Sequence, residues 1–204
     1  FLKERYIKLG VPAAQSNKDY FQNVPLEKLG VPNVTFTVNN KAYTNIDDFV
    51  SIVSVQDGTL KTSEIVYAGY GIVDDNYTSY KDLDVKGKVV LIKSGEPKNS
   101  DGTFVITGTE ETSKWSNFRQ AFAAKRDIAK ELGAKAVLVY YPEIYNMAVA
   151  RFGSANGSIS LKEKTENMYY FLVNTDMAKS ILPTIETEEK SQTIKMPISL
   201  DYKN

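Results

Sequence analysis

The sequence predicts an α+β fold, a mixed sheet with a few flanking helices. Three observations lead there. Short apolar runs of strand length recur along the chain, at residues 34–38, 49–55, 64–73, 88–93, 136–141, 168–173 and 193–202, set apart by Gly, Pro, Asn or Asp. Only one long stretch, residues 116–132, carries apolar residues at three- and four-residue steps. Between residues 64 and 142 the order reads strand, loop, strand, helix, strand.

Composition sets the outer bounds. A chain of 204 residues with 42% hydrophobic and 11% aromatic content has enough apolar surface to bury a sizeable core, and a soluble globular protein is expected. Twenty-five basic residues balance 25 acidic ones, so no net field draws the chain to nucleic acid or to an anionic membrane. No run approaches the roughly 18 apolar residues of a membrane helix. The chain opens at Phe1 without Met or a signal-like block, so a mature or excised piece is expected. It contains no His and no Cys, which rules out disulfides, thiolate metal sites and Ser-His-Asp or Cys-His triads built from these residues. A Ser-Lys arrangement has no local motif here.

Taken in order, residues 1–9 place Leu2, Tyr6 and Leu9 on one side of a short helix that Gly10 and Pro12 stop. Residues 19–26 read as extended, because Pro25 excludes a helix interior. Leu9-Gly-Val-Pro12 recurs as Leu29-Gly-Val-Pro32, but the flanks differ and no third copy follows, so it is read as coincidence. Residues 34–43 predict a hairpin turning at Asn39-Asn40, residues 49–55 another strand, and Asp57-Gly58 a turn. The run 64–73 ends in Gly69-Tyr-Gly71. A phosphate cradle would need those glycines to open directly into a helix, whereas Ile72 and Val73 continue extended, so a strand end with close backbone approach is preferred. A polar loop, 74–80, leads through a turn at 84–87 to the strand 88–93. The helix 116–132 has Ser116 as its expected N-cap, an apolar stripe through Phe118, Ala121, Phe122, Ile128, Ala129 and Leu132, and Lys125, Arg126 and Lys130 mostly off that stripe. Gly133 is its left-handed cap, and the strand 136–141 follows at once. Beyond Pro142 the chain reads as less regular, with a loop at 151–158. An aromatic strand, 168–173, then leads to a short helix, about 177–182, capped by Asn174-Thr-Asp176 and stopped by Pro183. A charged connection, 186–190, precedes the last strand, 193–202, which Pro197 assigns to a sheet edge. Asn-x-Ser/Thr triplets begin at Asn33, Asn76 and Asn156 and matter only in a source that glycosylates secreted chains.

Tyr67-Ala-Gly-Tyr-Gly-Ile72, Tyr80-Lys-Asp-Leu-Asp-Val-Lys-Gly-Lys-Val-Val90 and Glu131-Leu-Gly-Ala-Lys-Ala-Val-Leu-Val139 together resemble the protease-associated domain. The resemblance is to the version carried by secreted zinc aminopeptidases related to aminopeptidase Y and glutamate carboxypeptidase, a family that includes transferrin-receptor-like proteins. It implies a swivelling β/β/α fold, a mixed β-sandwich or open barrel. It divides the chain into an N-terminal lead-in, 1–63, and the domain itself, 64–204. It also implies an extracytoplasmic setting, periplasmic or secreted, and a catalytic domain beyond Asn204 that holds the zinc ligands and the general base. No position in this chain matches those ligand motifs. No cofactor is therefore expected in this chain, and no catalytic or metal-ligating residue is nominated.

The expected role is that of a non-catalytic lid or wall beside a zinc cleft, with peptide or protein substrate and the C-terminal peptidase domain as partners. The candidate contact residues are Asp74, Asp75, Tyr77, Tyr80 and Trp115, because tyrosine and tryptophan offer broad amphipathic area at low entropic cost. Each has a plainer reading. Asp74 and Asp75 lack the spaced ligands of a calcium loop and read first as a solvated turn, and Trp115 reads first as a packing anchor. A receptor-like binding module with no active peptidase partner is the competing function, and a hydrolase using converging carboxylates a third.

Overall fold

A computed structural model describes residues 1–14, 16, 19–28, 30–53, 55–154, 159–161 and 168–204. Leu29, Ser54, the end of the 151–158 loop and the Asn156 triplet lie outside them. Chain order runs α1 (Leu2–Lys8), β1 (Leu26–Lys28), β2 (Asn33–Val38), β3 (Lys41–Thr44), β4 (Phe49–Ser51), β5 (Gly58–Tyr67), β6 (Val73–Asp74), β7 (Tyr77–Thr78) and β8 (Val89–Lys93). It continues with α2 (Phe118–Glu131), β9 (Ala136–Tyr140), α3 (Pro142–Phe152), β10 (Ile159–Leu161), β11 (Tyr169–Val173), α4 (Thr175–Ile181) and β12 (Gln192–Lys203).

Eight strands form one mixed sheet in the order β3-β2-β12-β5-β8-β9-β11-β4. Its centre is parallel, β5 with β8, β8 with β9 and β9 with β11, and its wings are antiparallel. Strands of a parallel centre are covered on both faces and so read as unbroken apolar runs; all five residues of β8 and all five of β9 are buried. Alternation then sorts them. Val89, Leu91, Ala136 and Leu138 point to one core with Phe36, Phe49 and Phe171, while Val90, Ile92, Val137 and Val139 point to a second core under α2 and α3. In the first core the rings of Phe36, Phe49 and Phe171 meet edge to face, with centroids 4.9–5.3 Å apart. The sheet nearly closes on itself: its edge strands β3 and β4 are consecutive, and Asn45 bridges to Phe49 across the gap. Of the two predicted architectures, this is the open barrel.

Several local expectations need correction. β12 is not an edge strand; it lies between β2 and β5 and pairs with both. Pro197 is tolerated because the ladder to β5 breaks between Lys195 and Ile198, so the missing N–H falls in a bulge. The chain after Pro142 is helical. Pro142 is the first residue of α3, where its fixed φ suits a helix start, and Ile144 and Ala148 pack into the second core. Helix α2 begins one residue later than expected, with Asn117 as N-cap accepting from the Gln120 N–H, because Ser116 belongs to a preceding 3-10 turn. The strand predicted at 49–55 stops at Ser51, and Gly58 opens β5 instead of lying in a turn. The hairpin at Asn39-Asn40 forms as expected, both residues having positive φ (47° and 67°). Gly133 caps α2 at φ 85°.

No helix among the described residues is long and apolar enough to cross a membrane.

Candidate functional site

The parallel strands β5, β8, β9 and β11 end together, and the loops that follow them gather at that end of the sheet, where such sheets commonly carry ligands. The first loop depends on glycine. A Cβ on Gly71 would stand 2.9 Å from Ile92 Cγ2, and φ there is +67°, so only glycine lets the turn lie against β8. The turn is then tied down, the Lys93 N–H donating to the Gly69 carbonyl at 2.8 Å. The loop predicted at 74–80 is a small hairpin, β6 paired with β7. Its base is closed by Ser79, whose hydroxyl accepts from the Ile72 N–H at 3.0 Å while its own N–H donates to the Ile72 carbonyl at 2.8 Å.

Trp115 meets this hairpin from the 3-10 turn ahead of α2. Its indole is 3% exposed, and Nε1 donates to Asp74 Oδ2 at 2.7 Å. Lys114 Nζ lies 3.2 Å from the same oxygen and over the Trp115 ring. The indole bond, opposed by burial and helped by Lys114 and the Asp75 N–H, holds the Asp74 carboxyl below its ordinary range. Trp115, Ile72 and Ala121 form a small third core, against which Tyr70, Tyr77 and Ile106 pack.

The five candidate contact residues therefore have different situations. Asp74 and Trp115 bond each other. Asp75 is exposed, and Tyr77 is half-buried with its phenol pushed up mainly by burial. Tyr80 lies in the second core, its hydroxyl without a hydrogen-bond partner among the described residues and its phenol likewise pushed up by burial.

Three charged residues that the sequence reading did not single out as site residues hold this end together. Glu96 is 4% exposed; its Oε1 accepts from the Ser113 N–H (2.8 Å) and the Ser116 hydroxyl (2.6 Å), and its Oε2 from the Ser113 hydroxyl (2.6 Å). The carboxylate thus shapes the turn that presents Trp115. Lys125, expected off the apolar stripe, is buried on it, and its Nζ donates to the Gly95 carbonyl at 2.7 Å. Burial, partly offset by the charge of Glu96, brings its pKa down to about 7. Beside it lies a cavity of about 20 Å³, lined by Gly95, Trp115, Phe118 and Tyr141 among others, with room for about one water. Lys93, also buried, donates to the Glu188 carbonyl (2.8 Å) and to Glu189 Oε1 (2.9 Å). The phenols of Tyr67, Tyr70 and Tyr140 bind Glu188, Glu189 and Glu186 in turn, so the charged connection 186–190 is strapped over the barrel end.

Lys125 had a legible signal, four residues from both Ala121 and Ala129 and so in line with them on the stripe. Glu96 had none, since its partners lie 17 and 20 residues away. Chemically the arrangement is a rigid, shaped edge whose solvent face is Asp75, Asn76, Thr78 and Lys114.

A family model described as "PA domain" matches residues 61–166, just over half of the chain. No curated protein matches in the corresponding sequence search. Among solved structures, an aminopeptidase from Aneurinibacillus sp. strain AM-1 aligns at 14% identity and TM-score 0.41, over 98% of this chain and 39% of that one. A peptidase M28 precursor from Shewanella amazonensis SB2B aligns at 12% identity and TM-score 0.41, over 98% and 40%. A psychrophilic subtilisin-like protease from Pseudoalteromonas sp. AS-11 aligns at 10% identity and TM-score 0.42, over 88% and 35%. The chain thus spans two fifths or less of the length of these structures.

Proposed function

The chain belongs to the PA-domain family, and from that premise we propose that it is the access wall of a peptidase, contacting peptide substrate beside the cleft without supplying a bond-making group. The parent favoured by this reading is a zinc-dependent aminopeptidase working outside the cytoplasm, with zinc and general base in a separate domain of the same polypeptide. Among the described residues no three of His, Cys, Asp and Glu gather as ion ligands.

The observation that supports a wall is the locked edge. The Asp74–Trp115 bond at 2.7 Å ties the β6–β7 hairpin to the Trp115 turn, and the three bonds to Glu96 tie that turn to the loop after β8. A surface that selects substrate by shape gains from such preorganisation, because little side-chain freedom is lost when peptide arrives.

The test is hydrolysis of aminoacyl-anilides and of longer peptides, with zinc present, by the longer polypeptide and by residues 1–204 alone. In the longer polypeptide, Trp115→Ala is expected to raise KM for longer peptides several-fold and to leave anilide turnover unchanged, the mark of lost substrate positioning away from the reacting bond. Hydrolysis by residues 1–204 alone overturns the reading. An inactive longer polypeptide favours a receptor-like binding module instead.

A further inference from the structure

Lys125 sits on the buried stripe of α2, 4% exposed, and its hydrogen-bond acceptor among the described residues is the Gly95 carbonyl, at 2.7 Å. The neighbouring carboxylate, Glu96, is taken up by Ser113 and Ser116 instead. An ammonium would bring three N–H groups to this place, and one of them meets an acceptor. The neutral amine fits better, donating once to Gly95 and keeping its lone pair free. Beside it is the cavity of about 20 Å³, set between Lys93 and Gly95 at the end of β8, Tyr141 at the end of β9, and Phe118 at the start of α2. Strands β8 and β9 are parallel neighbours, so the cavity occupies the crevice at their carboxyl ends, where open α/β sheets take ligands. Trp115, Phe118 and Phe122 give it aromatic walls. A desolvated lysine in such surroundings is the kind that forms imines with carbonyl compounds.

We propose that Lys125 is a reactive amine that captures a one-carbon aldehyde as an imine in this cavity. The Nζ lone pair attacks the carbonyl carbon, and the N–C bond forms as the carbonyl π pair moves onto oxygen. Both amine protons end on that oxygen, which leaves as water when the C=N bond forms. Space and charge select the electrophile. The imine adds a single carbon, which suits a cavity with room for about one water. An acetyl group is bulkier, and a carbamate formed from CO2 would set a second anion beside buried Glu96. A protonated imine, by contrast, keeps an N–H for the Gly95 carbonyl. The titratable groups facing the amine are Glu96, whose charge favours protonation, and Lys93, Tyr141 and Tyr170. Burial outweighs Glu96 and brings the pKa to about 7. About half of the amine is then free base at pH 7, against roughly one part in 3000 for an exposed lysine. The weaker base is the weaker nucleophile, and a Brønsted slope of about 0.4–0.5, as measured for thiols, gives back roughly 40-fold of that gain. A net preference of roughly tenfold or more remains.

The test treats residues 1–204 at pH 7 with less than one equivalent of formaldehyde and with sodium cyanoborohydride, which reduces the imine to an N-methyl amine. Peptide mass mapping then locates the methyl group. Among the lysines, Lys125 should be methylated about tenfold or more faster than exposed Lys61 and Lys135. The preference should vanish by pH 10, where exposed lysines also carry free base, and in denaturing urea. Benzaldehyde, too large for the cavity, should show no preference for Lys125, and Lys125→Met should leave methylation of the other lysines unchanged. Methylation of Lys125 at pH 7 that is no faster than that of Lys61 overturns the proposal. So does a preference that persists in urea, which would come from local sequence, or one equally strong with benzaldehyde, which would place the reacting amine outside the cavity.

Discussion

Lys125 makes folding stability depend on pH in a direction few lysines impose. Its folded pKa is about 7 against an ordinary 10.5. Between those values the unfolded chain binds more protons than the native one, so stability rises with pH. At pH 7 the native amine is about half protonated, and by pH 9 it is almost wholly neutral, while the unfolded lysine remains charged throughout. Integrating one proton over that interval gives a gain of about 2 kcal/mol, from the 1.36 kcal/mol that each pH unit carries per proton. Above pH 10 the sign turns: burial holds Tyr67, Tyr70 and Tyr80 protonated in the fold after the unfolded phenols begin to ionise, and stability falls. The variant is Lys125→Met, which keeps an unbranched chain of similar length and removes the titrating group. The assay is urea unfolding at pH 7, 8 and 9, followed by the fluorescence of the sole tryptophan, Trp115, which is buried in the fold. Wild type should gain about 2 kcal/mol across the series and the variant almost none. Parallel curves for the two proteins would refute the assignment of a deprotonating lysine at this position.

Three further perturbations address the same architecture. Gly71→Ala should cost about 2 kcal/mol or more, because the new methyl meets Ile92 at 2.9 Å in a left-handed backbone, whereas Gly102→Ala, also at positive φ but with nothing within 4 Å, should cost about 1 kcal/mol; thermal melts of both check the difference. Glu96→Gln replaces a charged acceptor of three hydrogen bonds and should cost about 2–3 kcal/mol, with Trp115 emission shifted to the red and more open to acrylamide quenching. Pro197→Ala should change stability by less than about 1 kcal/mol, since the residue sits in the bulge, while Leu200→Pro, at a position paired with both Phe36 and Leu60, should cost about 3 kcal/mol or more by urea titration.

The strands legible in the sequence were those whose burial pattern is self-evident. Residues 88–93 and 136–141 are apolar without interruption because both faces are covered, and the structure places β8 and β9 there. Short-range chemistry was equally readable at Asn39-Asn40, Gly133 and Asn174. Reading failed where a distant contact overruled a local rule. Pro197 names an edge strand by itself, but the bulge in which it sits accommodates it at the centre of the sheet. Ser116 is a good N-cap by type, but Glu96 takes its hydroxyl and leaves the cap to Asn117. At the candidate site, Asp74 and Trp115 were nominated separately, and nothing in their 41-residue separation announced that they bond each other. The connection 186–190 read only as a charged link between elements. Its partners, Lys93 and three tyrosines, come from strands and one turn about 50 to 120 residues earlier.

The position of β12 has a consequence for how the molecule comes into being. This strand is the last in chain order and fills the slot between β2 and β5, pairing residues near 200 with residues near 35 and near 60. During synthesis the hairpin of β2 and β3 and the parallel block from β5 onward emerge with facing edges unpaired, and neither can satisfy the other. Ring closure waits for β12 to leave the ribosome. Long-range pairing of this kind slows folding and leaves strand edges open to the wrong partners in the interval. A nascent chain stalled before β12 should therefore be protease-sensitive along its whole sheet, and one stalled with β12 free of the exit tunnel should resist.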